Sequence, residues 1–321
     1  MLEINPRGAW SIGPALVACS ILVLGIPEPA SAQQPYERIV VFGTSLSDSG
    51  NGFVLVGRNN TPPNYQADDL LVPGLPYARG GHHLSNGATW VEQFARPLGL
   101  AGTVRPALRG SDNATNYSVG AARARDNAGT FNLSDQVNTF LQEFGGIAPP
   151  GALYVIEMGG NDIRDALLAG PNGAVIIQAA VQSIAQNIAT LHSAGATHFL
   201  VWTAPDVGLT PAVRALGDVA AALATQATVA FNSALSAALL QLAPLPGIQI
   251  ATLDAFQLIH AIVANPSAFG LTDVTNACIT PGVPPFTCQN PDGFLFWDGV
   301  HPTRAVHEII AQEAASILAL Q

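Results

Sequence analysis

The sequence contains no lysine, and charged residues of any kind are few. They make up 11% of the 321 residues, against roughly 25% in typical soluble domains. The 12 basic residues are therefore all arginine, and with 22 acidic residues they give a formal net charge of −10. Because no basic stripe is present to neutralise phosphates, we exclude a nucleic-acid-binding protein. Hydrophobic residues at 49%, combined with this low charge, argue against intrinsic disorder.

Cysteine is also scarce, with three residues in the whole chain. There is no Cys-x-x-Cys pair and no Cys/His cluster, so the sequence predicts no metal site and no cofactor. A disulfide scaffold and a collagen-like chain are excluded by the cysteine count and by the lack of a glycine period. Beyond the N-terminal region no segment reaches about 20 consecutive apolar residues, so we predict no membrane span in the mature chain.

Residues 1–32 have the pattern of a secretory signal peptide. Arg7 precedes an interrupted apolar stretch, and Ala30-Ser31-Ala32 provides the small-x-small site of signal peptidase. We therefore predict a secreted or periplasmic protein whose mature domain comprises residues 33–321.

A lipoprotein anchor at Cys19 is the alternative to ordinary secretion. Leu16-Val17-Ala18-Cys19 is similar to a lipoprotein cleavage box, but an apolar run follows Cys19 where a polar tether is expected. We prefer ordinary secretion for this reason. In an exported protein the two remaining cysteines, Cys278 and Cys288, are predicted to form a disulfide rather than two free thiols.

The mature chain alternates apolar, β-branched runs with helical patterns. The predicted strands are Arg38–Phe42, Asn116–Val119, Leu153–Met158, His198–Thr203 and Ile248–Leu253. The predicted helices are Ala88–Leu98, Leu133–Phe144, Gly173–Ser193, Ala215–Leu242, Ala255–Asn265 and Thr303–Leu320. Residues 57–87 and 266–297 are predicted to be irregular. This order predicts one α/β domain, a three-layer α/β/α arrangement around a mainly parallel five-stranded sheet.

Polar clusters follow three of the predicted strands or precede the last helix. Gly43 to Asn51 (GTSLSDSGN) follows the first strand, and Gly120 ends the second. Gly159 to Asp162 (GGND) follows the third strand, and Asp298 to Thr303 (DGVHPT) precedes the last helix. Because ligands bind at the carboxyl ends of parallel strands, we expect these clusters to meet at one edge of the sheet.

These clusters contain every group that acyl transfer from an ester requires. Ser45 can be the nucleophile, His301 the general base, and Asp298 the carboxylate that orients the base. The Asn161 side-chain amide and the backbone N–H groups of Ser45 and Gly120 can stabilise an oxyanion. Each cluster alone has the composition of an ordinary loop. Because all of them occur in this order, an interpretation as loops without a catalytic role is improbable.

The four clusters resemble the sequence blocks of the GDSL esterases and lipases, the SGNH hydrolases. Their Ser, Gly, Asn and His correspond to Ser45, Gly120, Asn161 and His301, and the last block lies within GFLFWDGVHPT. The segment SNGATWVEQFA, from Ser85 to Ala95, is similar to one in larger esterase-like members. The resemblance covers nearly the whole mature chain and implies a flavodoxin-like α/β/α fold, an acyl-enzyme mechanism and a small-molecule or lipid ester substrate.

One position departs from the family pattern, because Thr44 stands where the first block usually has Asp. An α/β-hydrolase elbow is excluded, since Gly-x-Ser-x-Gly occurs nowhere in the chain. The alternatives to an esterase are an acyltransferase, a phospholipase or a carbohydrate O-acetylesterase that uses the same site. The Thr44 departure also leaves a catalytically silent family member as an alternative.

Overall fold

The structure is a computed structural model, and it describes residues 36–63, 65–78, 81–111 and 113–319. The predicted signal peptide and Cys19 lie outside the described residues.

Four parallel strands form the central sheet, and they are adjacent in the order in which they occur along the chain. They are β1 (Arg38–Gly43), β2 (Ala152–Glu157), β3 (His198–Trp202) and β4 (Gln249–Leu253). Side chains alternate between the two faces: Val40 and Phe42 enter one core cluster, Ile39 and Val41 the other. Strands buried on both faces explain the continuous apolar runs of the sequence.

Helices cover both faces of this sheet. The helices are α1 (Asn51–Val56), α2 (Trp90–Ala95), α3 (Leu133–Glu143), α4 (Gly160–Leu168), α5 (Gly173–Ser193), α6 (Pro211–Arg214), α7 (Asp218–Leu242), α8 (Ala255–Ala264) and α9 (Arg304–Ala319). Helices α3, α4, α5 and α7 bury side chains in one core cluster, and α2, α8 and α9 do so in the other. The predicted three-layer α/β/α architecture is confirmed.

Local sequence explains where several helices begin. Thr89 and Glu92 form a capping box at the start of α2, and Asn132 and Asp135 form one at α3. The short helices α1 and α4 were not predicted, because six and nine residues provide little helical periodicity.

The predicted second strand, Asn116–Val119, is wrong as a regular element. The segment does run alongside β1, since Val41 N–H donates to Thr115 O (2.9 Å) and Tyr117 N–H donates to Val41 O (2.8 Å). The ladder lacks one link because Gly43 N–H donates to the Gln136 side chain (2.8 Å) instead of a backbone acceptor, and it resumes where Val119 N–H donates to Gly43 O (3.2 Å). The main sheet therefore has four regular strands, with an irregular segment at the β1 edge.

The region predicted as an irregular loop at 266–297 contains a small second sheet. Its two short strands, β5 (Asp273–Ala277) and β6 (Phe294–Phe296), pair in parallel. The predicted disulfide is present between Cys278 and Cys288, with an S–S distance of 2.02 Å. The described part of 57–87 contains no helix or strand, as predicted.

Two helices, α5 and α7, are long and apolar enough to cross a membrane by length and composition. The sequence prediction of membrane spans considered only runs of consecutive apolar residues, so it did not identify these two helices. Ile184 and Leu191 of α5, with Phe231 and Leu235 of α7, lie in the core cluster on one face of the sheet. This packing accounts for one side of each helix, while Val175 of α5 and Val219 and Leu240 of α7 are apolar and exposed.

The register of β1 and β2 positions the polar clusters. Gly43 is paired with Glu157 at the last position of the two strands, so the chain leaves both strands side by side. The edge segment near Asn116 lies on the other side of β1. Strand order thus reverses at β1, and the crevice outside such a reversal is where open α/β sheets bind ligands.

Candidate active site

A cavity of about 1130 Å³ opens at the carboxyl edge of the sheet. Four of the predicted site residues line it: Ser45, Gly120, Asn161 and His301. The fifth, Asp298, is fully buried and contacts His301 from outside the cavity lining. The fold therefore brings together five residues that are spread over more than 250 positions of the sequence.

The turn that carries Ser45 is held by the buried carboxylate of Asp48. One oxygen accepts the N–H groups of Gly50 (2.8 Å) and Asn51 (2.7 Å). The other accepts those of Gly52 (3.0 Å) and Gly120 (2.8 Å). Burial raises the pKa of Asp48, while these four hydrogen bonds act in the opposite direction. Asp48 thus ties the nucleophile turn to the neighbouring Gly120 segment.

The contact with Asp48 changes the assignment of one oxyanion donor. The Gly120 N–H, predicted to face the oxyanion, is already donated to Asp48 Oδ2. The next residue, Ala121, lines the cavity in the left-handed conformation with φ of 65°. Within the described residues the Ala121 N–H has no acceptor, and neither has the Ser45 N–H. Both N–H groups are therefore available to a ligand in the cavity.

Asn161 is the second residue of α4, and a glycine positions it. Gly159 caps the helix with φ of 121°, and a Cβ there would lie 2.4 Å from the Phe231 ring. The side-chain amide of Asn161 donates to Ala122 O at 2.8 Å. Since an amide nitrogen carries two hydrogens, one remains available to a ligand in the cavity.

His301 and Asp298 form a buried pair. The distance from His301 Nδ1 to Asp298 Oδ2 is 2.8 Å, and to Oδ1 it is 3.0 Å. Asp298 also accepts the backbone N–H groups of Val300 (2.9 Å) and His301 (2.8 Å). Because a carboxylate only accepts, Nδ1 carries the proton, and Nε2 is left as the basic nitrogen. No hydrogen bond joins Nε2 to Ser45 Oγ in the described structure, although both residues line the cavity.

Tyr77 is a third partner of Asp298 that the sequence did not reveal. Its hydroxyl donates to Asp298 Oδ2 at 2.9 Å, and its ring packs edge-on against Trp297. Burial, and then the charge of Asp298, raise the pKa of Tyr77 far above its usual value, so it remains a donor. The contact spans 221 positions and starts in an irregular segment, so no local pattern could indicate it.

The same segment packs closely on the turn between Asp298 and His301. Gly299 N–H donates to Leu71 O at 2.9 Å. A Cβ on Gly299 would lie 2.1 Å from Leu70 O, so glycine is required by the close approach of the two backbones. The irregular segment 57–87 therefore packs against the turn that carries Asp298 and His301, and it also lines the cavity.

Most side chains that line the cavity are apolar. They include Leu46, Val56, Leu75, Leu84, Met158, Leu167, Val213, Leu258, Ile259, Ile262, Val306 and Ile310. Leu168 and Leu216 also line it and yet are strongly exposed, at 82% and 60%. The cavity and its rim therefore favour an apolar ligand.

Comparison with known proteins identifies a matching family and several relatives of this chain. The family model described as GDSL-like Lipase/Acylhydrolase matches residues 39–314. Esterase EstA of Pseudomonas aeruginosa is 29% identical over 347 aligned residues, which cover 96% of this chain and 50% of EstA. A GDSL esterase/lipase of Arabidopsis thaliana is 29% identical over 317 residues, covering 85% of this chain and 89% of the plant protein. This chain thus spans half the length of EstA.

Among solved structures, an acetylxylan esterase from Geobacillus stearothermophilus aligns with a TM-score of 0.48 and 11% identity. The alignment covers 88% of this chain and 93% of that esterase.

The hydrogen bond from Tyr77 can be removed without changing the shape of its ring. We expect Tyr77→Phe to lower kcat/KM for an ester about tenfold, because losing one hydrogen bond to a charged group costs about 1.5 kcal/mol. Steady-state kinetics measures the change, and near-UV circular dichroism serves as the check on folding. An unchanged kcat/KM in the folded variant would mean that Tyr77 does not support Asp298.

Proposed function

The chain belongs to the GDSL-like lipase/acylhydrolase family, and on this premise we propose that it is an exported serine hydrolase that cleaves carboxylic esters. The observation that carries the proposal is the buried His301–Asp298 pair, on the same cavity as Ser45. We assign Ser45 as the nucleophile, His301 as the general base and Asp298 as the residue that orients it.

Acylation follows from the hydrogen-bond pattern. Ser45 Oγ attacks the acyl carbonyl carbon while His301 Nε2 accepts the hydroxyl proton. Asp298 keeps the Nδ1 proton in place and stabilises the imidazolium that forms. The tetrahedral intermediate then expels the alcohol, which takes the proton from His301, and the acyl group remains on Ser45. In the second half, His301 removes a proton from water, and the hydroxide releases the carboxylic acid.

The oxyanion is held by three donors in this proposal. They are the Ser45 N–H, the Ala121 N–H and the amide hydrogen of Asn161 that Ala122 O does not accept. Ala121 replaces Gly120 as the backbone donor because Asp48 accepts the Gly120 N–H. The position of Asn161 at the start of α4 adds the positive end of a helix dipole.

Replacing single backbone amides with esters tests this donor set. We expect lactic acid at position 121, which removes the Ala121 N–H, to lower kcat about 100-fold. Asn161→Ala is expected to lower kcat by about 100- to 1,000-fold, since it removes a donor of the same kind.

Glycolic acid at position 120 is the matched control for the ester at 121. It breaks the Asp48 contact, so we expect mainly a loss of stability, measured by urea unfolding, and a smaller loss of kcat. A larger kcat loss at 120 than at 121 would restore Gly120 as the donor.

The cavity supports an apolar acyl or alcohol group as the substrate. Its volume of about 1130 Å³ far exceeds an acetyl group, and its lining is mostly apolar. These features favour an ester of an apolar acid over an acetylated sugar. The proposal therefore places esterase or lipase activity ahead of the carbohydrate O-acetylesterase alternative.

A series of p-nitrophenyl esters from two to eight acyl carbons tests this preference. We expect kcat/KM to rise with chain length, by up to about fourfold per CH₂, the equivalent of about 0.8 kcal/mol for each buried CH₂. Ser45→Ala serves as the blank. A maximum at the acetate ester would contradict the apolar substrate, and a dominant alkyl ester product in the presence of methanol would indicate an acyltransferase.

Export is supported by the signal-like sequence of residues 1–32 and by the Cys278–Cys288 disulfide. We expect the protein recovered outside the cytoplasm of a bacterial host to begin at Gln33, measured by N-terminal sequencing. Cys19→Ser should not change export or the new N-terminus. A lipid-modified Cys19 at the N-terminus, or retention of residues 1–32, would overturn this part of the proposal.

A further inference from the structure

The carboxyl group of Glu157 contacts the nucleophile turn but has no role in the hydrolysis described above. Glu157 ends β2, and its side chain is bonded to Thr44, the residue before Ser45. Its Oε2 accepts the Thr44 N–H at 2.9 Å, and its Oε1 accepts the Thr44 hydroxyl at 2.9 Å. Both carboxylate oxygens are therefore engaged by one residue, on a turn that is distant in sequence.

A second residue of the turn is held by the core. Ser47 Oγ accepts the indole N–H of Trp90 at 2.9 Å, and Trp90 is fully buried against Trp202. The Ser47 hydroxyl also lowers the pKa of Glu157. Thr44 is thus bonded to Glu157, and Ser47, on the other side of Ser45, is bonded to a rigid part of the protein.

Glu157 lines the cavity beside Thr44, and its carboxyl group is closely packed on the side that faces Gly43. A Cβ on Gly43 would lie 3.0 Å from Glu157 Oε2 and 2.8 Å from the hydroxyl of Ser118. Ser118 Oγ is buried and has no hydrogen-bond partner among the described residues. A protonated Glu157 would need an acceptor for its O–H, and Ser118 Oγ is a neighbouring candidate.

We propose that Glu157 is a positioning residue for Ser45: its ionised carboxylate holds Thr44 so that the turn presents Ser45 to the substrate, and its protonation releases Thr44. This inference rests on the proposed function of the site. The step involves one proton, taken from or returned to solvent, and no covalent bond changes.

The protonation state of Glu157 is poised near neutral pH. Glu157 is 4% exposed, and burial raises its pKa to about 7 against the hydrogen bonds from Thr44 and Ser47, which lower it. No charged side chain is bonded to it in the described structure. Asp48, on the same turn, faces backbone N–H groups, and Asp162, on α4, pairs with Arg125. His301 faces the cavity from the loop before α9, bonded to Asp298.

The pH dependence of kcat/KM distinguishes this role from passive packing. Protonation of Glu157 should lower kcat/KM of the wild type about tenfold, in a step with a midpoint near pH 7. Glu157→Gln cannot ionise, so this step should be absent from its profile, with kcat about tenfold lower than that of the wild type at pH 8.5 and KM within twofold.

Two further variants separate Glu157 from a general effect of lost charge. Asp254→Asn removes a carboxylate at the same edge of the sheet, where it caps α8, and should keep the tenfold step near pH 7. Thr44→Val removes the hydroxyl that stabilises ionised Glu157, so the step should move to higher pH. The same step in Glu157→Gln, or its absence in the wild type, would overturn the proposal.

A readout without substrate keeps this inference separate from the proposed function. The Thr44 amide proton, which donates to Glu157, should shift in NMR spectra with a midpoint near pH 7, and this step should be absent in Glu157→Gln. If the protein shows this titration but does not hydrolyse esters, the proposed function is wrong and the role of Glu157 stands. If it hydrolyses esters but does not show the titration, the role of Glu157 is wrong and the proposed function stands.

The raised pKa of Glu157 also predicts how the stability of the protein depends on pH. The pKa of Glu157 is about 7 in the folded protein and 4.5 as its ordinary value, so folding favours the protonated form. Stability from this group is complete below pH 4.5 and is lost as the pH rises through 7. Wild type should therefore lose stability over this interval relative to Glu157→Gln, measured by urea unfolding, and parallel curves would contradict the linkage.

Discussion

The pairing of Gly43 with Glu157 at the end of two adjacent parallel strands is the constraint on which the site depends. It makes the chain leave β1 and β2 at the same edge of the sheet, so the turn with Ser45 and the helix start with Asn161 become neighbours. The same pairing places the Glu157 carboxylate against Thr44. The register of β1 and β2 thus determines both the proximity of Ser45 to Asn161 and the contact between Glu157 and the nucleophile turn.

Buried carboxylates organise the site in a chain that has few charges. Asp48, Glu157 and Asp298 are each at most 4% exposed, and each accepts at least two hydrogen bonds from the loops around the cavity. A carboxylate can accept from several donors at once, so one buried acid fixes several irregular segments. The loops at this edge have no regular ladder, and these acids supply the hydrogen bonds that a ladder would provide.

Local patterns were sufficient to predict the layers of the fold and the four polar clusters. Strand β2, for example, is an apolar run that ends at a glycine pair, and both signals are contiguous in sequence. Contacts across long separations were not predictable: Tyr77 reaches Asp298 from an irregular segment, and Gln136 replaces one link of the ladder beside β1. The hydrogen bond from Gly120 N–H to Asp48, 72 positions away, was not predictable for the same reason. Glu157 could have been noticed from the sequence, because it is the one charged residue in the apolar run that forms β2.

The central claim is that Ser45 is a nucleophile activated by His301 and Asp298. Peptide mapping by mass spectrometry, after reaction of the folded protein with a fluorophosphonate probe, tests it most directly. We expect a single covalent adduct on Ser45, formed much more slowly in His301→Ala and absent in Ser45→Ala. No adduct on Ser45, or equal labelling of Ser45→Ala, would contradict it.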